Sequence, residues 1–149
     1  MIGGFQLPMM MEQTPSRTNR VKIGSTKDKF GVPRTLIDWQ LTDIDKEMVW
    51  KSLDIVSHEL AERSLGRMQL LKERSPRLWT NQLGFSDHHM GTTRMAKSPD
   101  SGVVDANARV FGTKNLFMAG SSVFSTGSHV PPTLTIVALS VRLANHLKG

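Results

Sequence analysis

The side chains best suited to moving a proton near neutral pH in this chain are its five histidines, His58, His88, His89, His129 and His146. An imidazole with an ordinary pKa of about 6.5 is largely neutral there and ready to accept. His58 falls on the polar arc of an amphipathic segment and His146 at the end of an apolar one, so both read as solvated surface. His88 and His89 differ, because they sit in a polar, glycine-containing stretch, Asp87-His88-His89-Met90-Gly91-Thr92-Thr93. Neighbours on extended backbone point to opposite sides, so the pair is poorly placed to chelate one ion, and no HExxH spacing accompanies it. No metal site is expected. His88 reads either as a general base or as a loop histidine bonded to backbone. A serine hydrolase has no support, since no GxSxG elbow occurs and Ser121-Ser122 follow a single glycine. The chain has no cysteine, which excludes disulfides, thiolate metal sites and a cysteine nucleophile.

The elements that must position these residues are legible as patterns. Asn19-Arg20-Val21-Lys22-Ile23 and Ile37-Asp38-Trp39-Gln40-Leu41 alternate polar and apolar side chains, and turn-forming residues separate them. Two antiparallel strands joined by a loop are expected. Thr42 with Asp45 three residues on forms a capping box with Asp in place of Glu or Gln, so a helix starts there. Its apolar stripe is Val49, Leu53, Val56 and Leu60, flanked by Ile44, Met48 and Ile55. Gly66 and Ser75-Pro76 punctuate an irregular stretch toward Trp79. From Gly84 to Pro132 short β-prone runs alternate with tight turns: Val103-Val104, Arg109-Val110-Phe111, then Leu116 to Ala119 before Gly120-Ser121-Ser122. After Pro131-Pro132 comes a segment apolar on nearly every face, Thr133 to Ala144, which predicts a buried helix.

The chain is 149 residues long with 38% hydrophobic and 21% charged residues, a size and composition for one globular domain rather than disorder. No run of about 18 apolar residues exists to cross a bilayer. A net charge of +6 raises the question of a polyanionic partner. The basic residues are densest from Arg17 to Arg34, but Glu12 and Asp28 interrupt them and Phe30 alone is available to stack a base, so no specific nucleic-acid partner is expected. Met1 to Met11 is Met-rich and apolar without the positive region of a secretory signal, and reads as a poorly defined edge. The compartment stays open, with the cytoplasm slightly favoured.

Several ordered motifs coincide in the second half: His88-His89-Met90-Gly91-Thr92-Thr93-Arg94-Met95, Gly102-Val103-Val104-Asp105, Arg109-Val110-Phe111-Gly112, Asn115 to Phe124, and Pro132-Thr133-Leu134-Thr135 running into Leu139. Together they closely resemble the C-terminal segment of the glucose-methanol-choline flavin oxidoreductases. Upstream, Glu12-Gln13 with Pro15, Asn19-Arg20-Val21, Leu36 to Trp39 and Leu41-Thr42-Asp43 are similar to the family's substrate-domain strands and helix, so the likeness covers about residues 12–148.

The resemblance implies an α+β fold: an antiparallel-sheet substrate domain with packed helices over residues 12–149, with 115–149 contributing the last strand and helix of a Rossmann-like FAD domain. It implies oxidation of a CH–OH group of a small alcohol or sugar to a carbonyl, by hydride transfer to FAD. In the family, the histidine three residues before the Gly-Thr takes the hydroxyl proton, and His88 stands there. The family's second active-site residue, a histidine or asparagine, falls where this chain has Pro131, which donates nothing. His129, two residues earlier, either substitutes for it or is a loop histidine without a role. Gly120, Ser121 and Ser122 resemble the turn that meets the flavin's ribityl and phosphate portion, where small residues let backbone N–H groups approach; the plain alternative is a packing turn. Pro132 and Thr133 begin a helix aimed at the flavin ring, with Thr133 a candidate cap. The Gly-rich turn of a Rossmann unit is missing, since Gly3-Gly4 has no GxGxxG spacing after it. The expectation is therefore the C-terminal part of a complete enzyme whose FAD-binding half is its necessary partner. The alternative is a truncated, non-catalytic fragment or a small binding domain without flavin.

Overall fold

The structure, a computed structural model, describes residues 7–68, 84 and 87–149. These form two compact units, one of the residues up to Pro15 together with His88–Gly149, the other Ser16–Asp87. The stretch around Ser75-Pro76 and Trp79 lies outside the described residues.

In the Ser16–Asp87 unit, strand β1 (Arg20–Lys27) pairs antiparallel with β2 (Pro33–Asp38), with Val21 opposite Ile37 and Lys22 opposite Leu36. The antiparallel hairpin is the one expected, but β1 runs on to Lys27 and the second strand lies at Pro33–Asp38 rather than Ile37–Leu41. The loop is short because Asp28 scaffolds it: its Oδ1 accepts from the backbone N–H of Phe30 at 2.9 Å and of Val32 at 3.0 Å. At the other end β2 stops at Asp38, since the Asn19 side chain takes both backbone groups of Gln40, each at 2.9 Å. Helix α1 (Asp43–Glu62) then starts at the predicted cap. Thr42 Oγ1 accepts from the Asp45 N–H, and Asp45 Oδ2 accepts from the Thr42 N–H at 2.7 Å, so the box closes with Asp in the third position. Val49, Leu53, Val56 and Leu60 lie on its better-covered face, whereas Ile44 and Ile55 are exposed. The helix ends at Glu62, followed by a turn in which Ser64 adopts a left-handed φ of 54°.

The other unit is mostly loops around a small core of Val104, Val123 and Ala108. The short runs predicted as strands meet only through single bridges, Met95 with Val104, Val104 with Val110, and Arg109 with Phe117. The reason is local. Asp105 Oδ1 accepts from the backbone N–H groups of Asn107 (2.9 Å) and Arg109 (3.0 Å), and Thr113 Oγ1 donates to the Val110 carbonyl at 2.8 Å, so the chain bends before a ladder can extend. Gly102 lets two of these segments touch: a Cβ there would lie 2.5 Å from Ala96 Cβ and 2.6 Å from the Arg94 carbonyl oxygen.

Helix α2 (Thr133–Lys148) begins where the proline pair predicts, but it is not a buried helix. Ile136, Leu139, Ser140 and Leu143, at helical spacing, form a half-covered face against the unit's loops. On the opposite side Leu134 is 83% exposed and Val137 and Val141 more than half exposed, because this unit has only one side to offer. Arg142 Nη2 donates to the Ala106 carbonyl at 2.7 Å and the His146 ring stands edge-on to Phe117 at 6.3 Å, which fix the helix's far end. The N-cap is Pro132, with no side-chain cap; Thr133 is the first helical residue and does not cap.

Candidate functional site

The histidine motif is held by the turn that follows Gly120. Residues 91–95 run beside residues 121–123: Gly91 N–H donates to Ser121 O (3.2 Å), Thr93 N–H to Ser122 O and Met95 N–H to Val123 O (both 2.9 Å). Side chains reinforce this. The Ser121 hydroxyl donates to the His89 carbonyl at 2.8 Å, and the Thr93 hydroxyl donates to Ser122 Oγ at 2.8 Å. The turn is a short 3-10 segment, Ser121–Val123, whose last residue is 2% exposed and anchors it in the core. His88 and His89, just before the paired stretch, are exposed. Two separately read motifs, the histidine segment and the small-residue turn, are thus one structural object.

Gly120 enters that turn at φ +107°, in the region where residues with a Cβ are strained. A Cβ built on it meets no atom within 4 Å, so there is open space beside Gly120. At the start of α2 the first-turn N–H groups of Thr133, Leu134 and Thr135 have no intrahelical acceptor, and Pro132 supplies no side-chain cap.

The loop from Phe124 to Pro132 carries the other histidine. Gly127 N–H donates to Glu12 Oε1 at 2.6 Å, a bond spanning 115 residues of sequence. Ser128 follows in a left-handed conformation, φ 59°, and then comes His129, exposed, with Nδ1 3.5 Å from Ser128 Oγ. Pro131 is exposed and Pro132 buried. Sequence reasoning missed Glu12 as a contact of this loop and Thr93 as a partner of Ser122, because neither pair has any local spacing signal. It also passed over the turn made by Asp105, which the Asp105-Ala106-Asn107 order could have revealed. Partial burial raises the Asp105 carboxyl, but the Arg109 and Asn107 amides and the Arg109 guanidinium, 3.3 Å away, outweigh it and hold the group below its ordinary range.

Among the described residues no three histidine or carboxylate side chains gather to hold a metal. Nor is any helix among them long and apolar enough to cross a membrane.

The profile of the GMC oxidoreductases, for their C-terminal domain, matches residues 15–140. The chain belongs to this family. Relatives agree: it is 30% identical over 145 residues to 2-methyl-1,2-propanediol dehydrogenase of Mycolicibacterium austroafricanum, covering 93% of this chain and 24% of that protein. It is 34% identical over 133 residues to C-glycoside 3-oxidase of Arthrobacter globiformis, with 88% and 24% covered. To paromamine 6'-oxidase of Streptomyces fradiae it is 27% identical over 148 residues, with 97% and 26% covered. This GMC domain therefore spans about a quarter of the length of the curated relatives it matches. The α+β character expected for the family agrees with the antiparallel hairpin and the two helices described. The family is FAD-dependent, and its relatives here are named as oxidases and dehydrogenases.

Proposed function

We propose that this GMC domain supplies the substrate-facing side of an FAD-dependent oxidoreductase that converts a CH–OH group of a small alcohol or sugar to a carbonyl. The observation carrying this reading is the pairing of residues 91–95 with 121–123, which sets the His88 segment directly on the turn led by Gly120. Both features fit a flavin. The space beside Gly120 is open, the Ser121 and Ser122 side chains are bonded to the histidine segment, and the small residues leave room for phosphate or ribityl oxygens to approach the backbone. The uncapped start of α2 at Pro132 and Thr133 offers a partial positive charge to an electron-rich ring. When bound, FAD supplies the two-electron acceptor for the hydride leaving the carbinol carbon. His88 takes the hydroxyl proton on a ring nitrogen, and His129 helps hold the substrate oxygen in place of a donor at Pro131. In this reading residues 115–149 belong to the FAD domain of the whole protein.

The test is His88→Ala and His89→Ala in a complete, flavin-loaded GMC enzyme carrying this segment. General-base catalysis contributes about 10²- to 10⁴-fold, so His88→Ala slows flavin reduction by that order while FAD stays bound. His89→Ala should do far less, since its side chain is expected to point away from the flavin. Equal, small losses in the reductive step rule out His88 as the base.

A further inference from the structure

Beyond the two histidines, we propose that Glu12 is a positioning residue: its carboxylate holds the loop of residues 127–129, and with it His129, against the His88–Met90 segment. The inference deepens the proposed function and rests on it for the role of His129. Three observations meet at one point. Glu12 Oε1 accepts from the Gly127 amide at 2.6 Å, a bond to a charged acceptor slightly shorter than the usual N–H···O range. A Cβ built on Gly127 would lie 3.2 Å from Met90 Cε and 3.5 Å from Glu12 Cγ, so the glycine is packed between the Glu12 side chain and a residue two positions after His88. One residue on, Ser128 takes φ 59°, a conformation costly for a residue with a Cβ, and this turns the backbone so that His129 follows at once.

A strained residue persists only where its surroundings over-determine it. Here the constraint ahead of Ser128 is the Glu12 bond, and the one behind is buried Pro132 at the head of α2. The loop between them contains no helix or strand of its own to fix where the imidazole sits. A carboxylate on a chain segment 115 residues away thus fixes where His129 is presented, without touching the reacting atoms.

The experiment uses hydrogen exchange of the 149-residue chain, resolved to the Gly127 amide, in the wild type, Glu12→Ala and Glu12→Gln, together with the His129 ring signals. A hydrogen bond to a charged acceptor contributes enough that its loss lowers protection of Gly127 by about ten- to a hundredfold in Glu12→Ala. Glu12→Gln keeps an oxygen acceptor and should retain most of the protection and the wild-type His129 signals, a rescue that general destabilisation would not give. Unchanged Gly127 protection in Glu12→Ala, or unmoved His129 signals when that protection falls, overturns the proposal. Glu12→Gln behaving like Glu12→Ala at both readouts overturns it as well. None of these readouts needs flavin or turnover, so a failure of the catalytic reading of His129 would appear separately, as undiminished flavin reduction in His129→Ala.

Discussion

The hydroxyl of Ser121 donates to the carbonyl oxygen of His89 at 2.8 Å, so a residue of the small-residue turn holds the backbone of the histidine motif 32 positions earlier. A side-chain hydrogen bond of this kind contributes about 1 kcal/mol net. Ser121→Ala should therefore lower the thermal midpoint by roughly 2 to 5 °C for a chain of this size, as read by a thermal melt. Thr93→Val, which removes the donor to Ser122 Oγ at 2.8 Å, should do the same. Because both bonds join the same two segments, the double variant should lose less or more than the sum of the singles. Strict additivity would mean that the segments do not act as one object.

The proposed role of His129, in place of a donor at Pro131, has its own test. In a complete flavin-loaded enzyme carrying this segment, His129→Ala should slow flavin reduction while leaving FAD bound, since the substitution removes a group argued to hold the substrate oxygen. Pro131→Asn in the same background should recover part of that rate by restoring a donor at the family's usual place. Stopped-flow reduction measures both. A His129→Ala enzyme reduced at the wild-type rate would leave His129 a loop residue without a role.

What could be read from sequence was what is decided within a few residues. The Thr42–Asp45 box and the helix start after Pro131-Pro132 follow from caps and proline placement and stand where expected, while alternation gave the antiparallel hairpin but set its second strand too late, at Ile37–Leu41 rather than Pro33–Asp38. The histidine motif and the Gly120 turn were legible as patterns, but their hydrogen bonding to each other was not, because nothing in spacing predicts that Met95 pairs with Val123. Glu12 and Gly127 are further apart still. The last helix misled for a different reason: apolarity all round states that a segment wants cover, while the amount of cover depends on what packs beside it. Here the face of Ile136, Leu139 and Leu143 receives the most, and none of it is fully buried.

That bare face gives the third prediction. With Leu134, Val137 and Val141 all exposed, the 149-residue chain expressed alone should self-associate and raise the fluorescence of a hydrophobic dye. Val137→Lys with Val141→Glu should suppress both, since each side chain is more than half exposed in the folded chain. The same preparation should purify without stoichiometric flavin, because no GxGxxG turn is present in the 149 residues to bind the pyrophosphate. A monodisperse, dye-negative monomer or a yellow protein holding one FAD per chain would contradict the respective half of this expectation.

The acid limb of stability should report Asp105. Partial burial pushes its carboxyl up, yet the backbone N–H groups of Arg109 and Asn107 and the nearby Arg109 guanidinium prevail, so its folded pKa lies below the ordinary value. A group lowered in the folded state binds its proton first in the unfolded chain, so as pH falls below about 4 the unfolded form gains and stability drops. The contribution is fully present above that range and disappears only as pH passes through the folded value. Asp105→Asn keeps an oxygen to accept from the two amides but loses the charge that Arg109 faces at 3.3 Å. The variant should therefore melt lower than the wild type at neutral pH, and the gap should close as the pH is taken below about 4. Thermal melts of both proteins across that range measure it, and a gap that stays constant down to strong acid would show that the charge of Asp105 does not hold this turn.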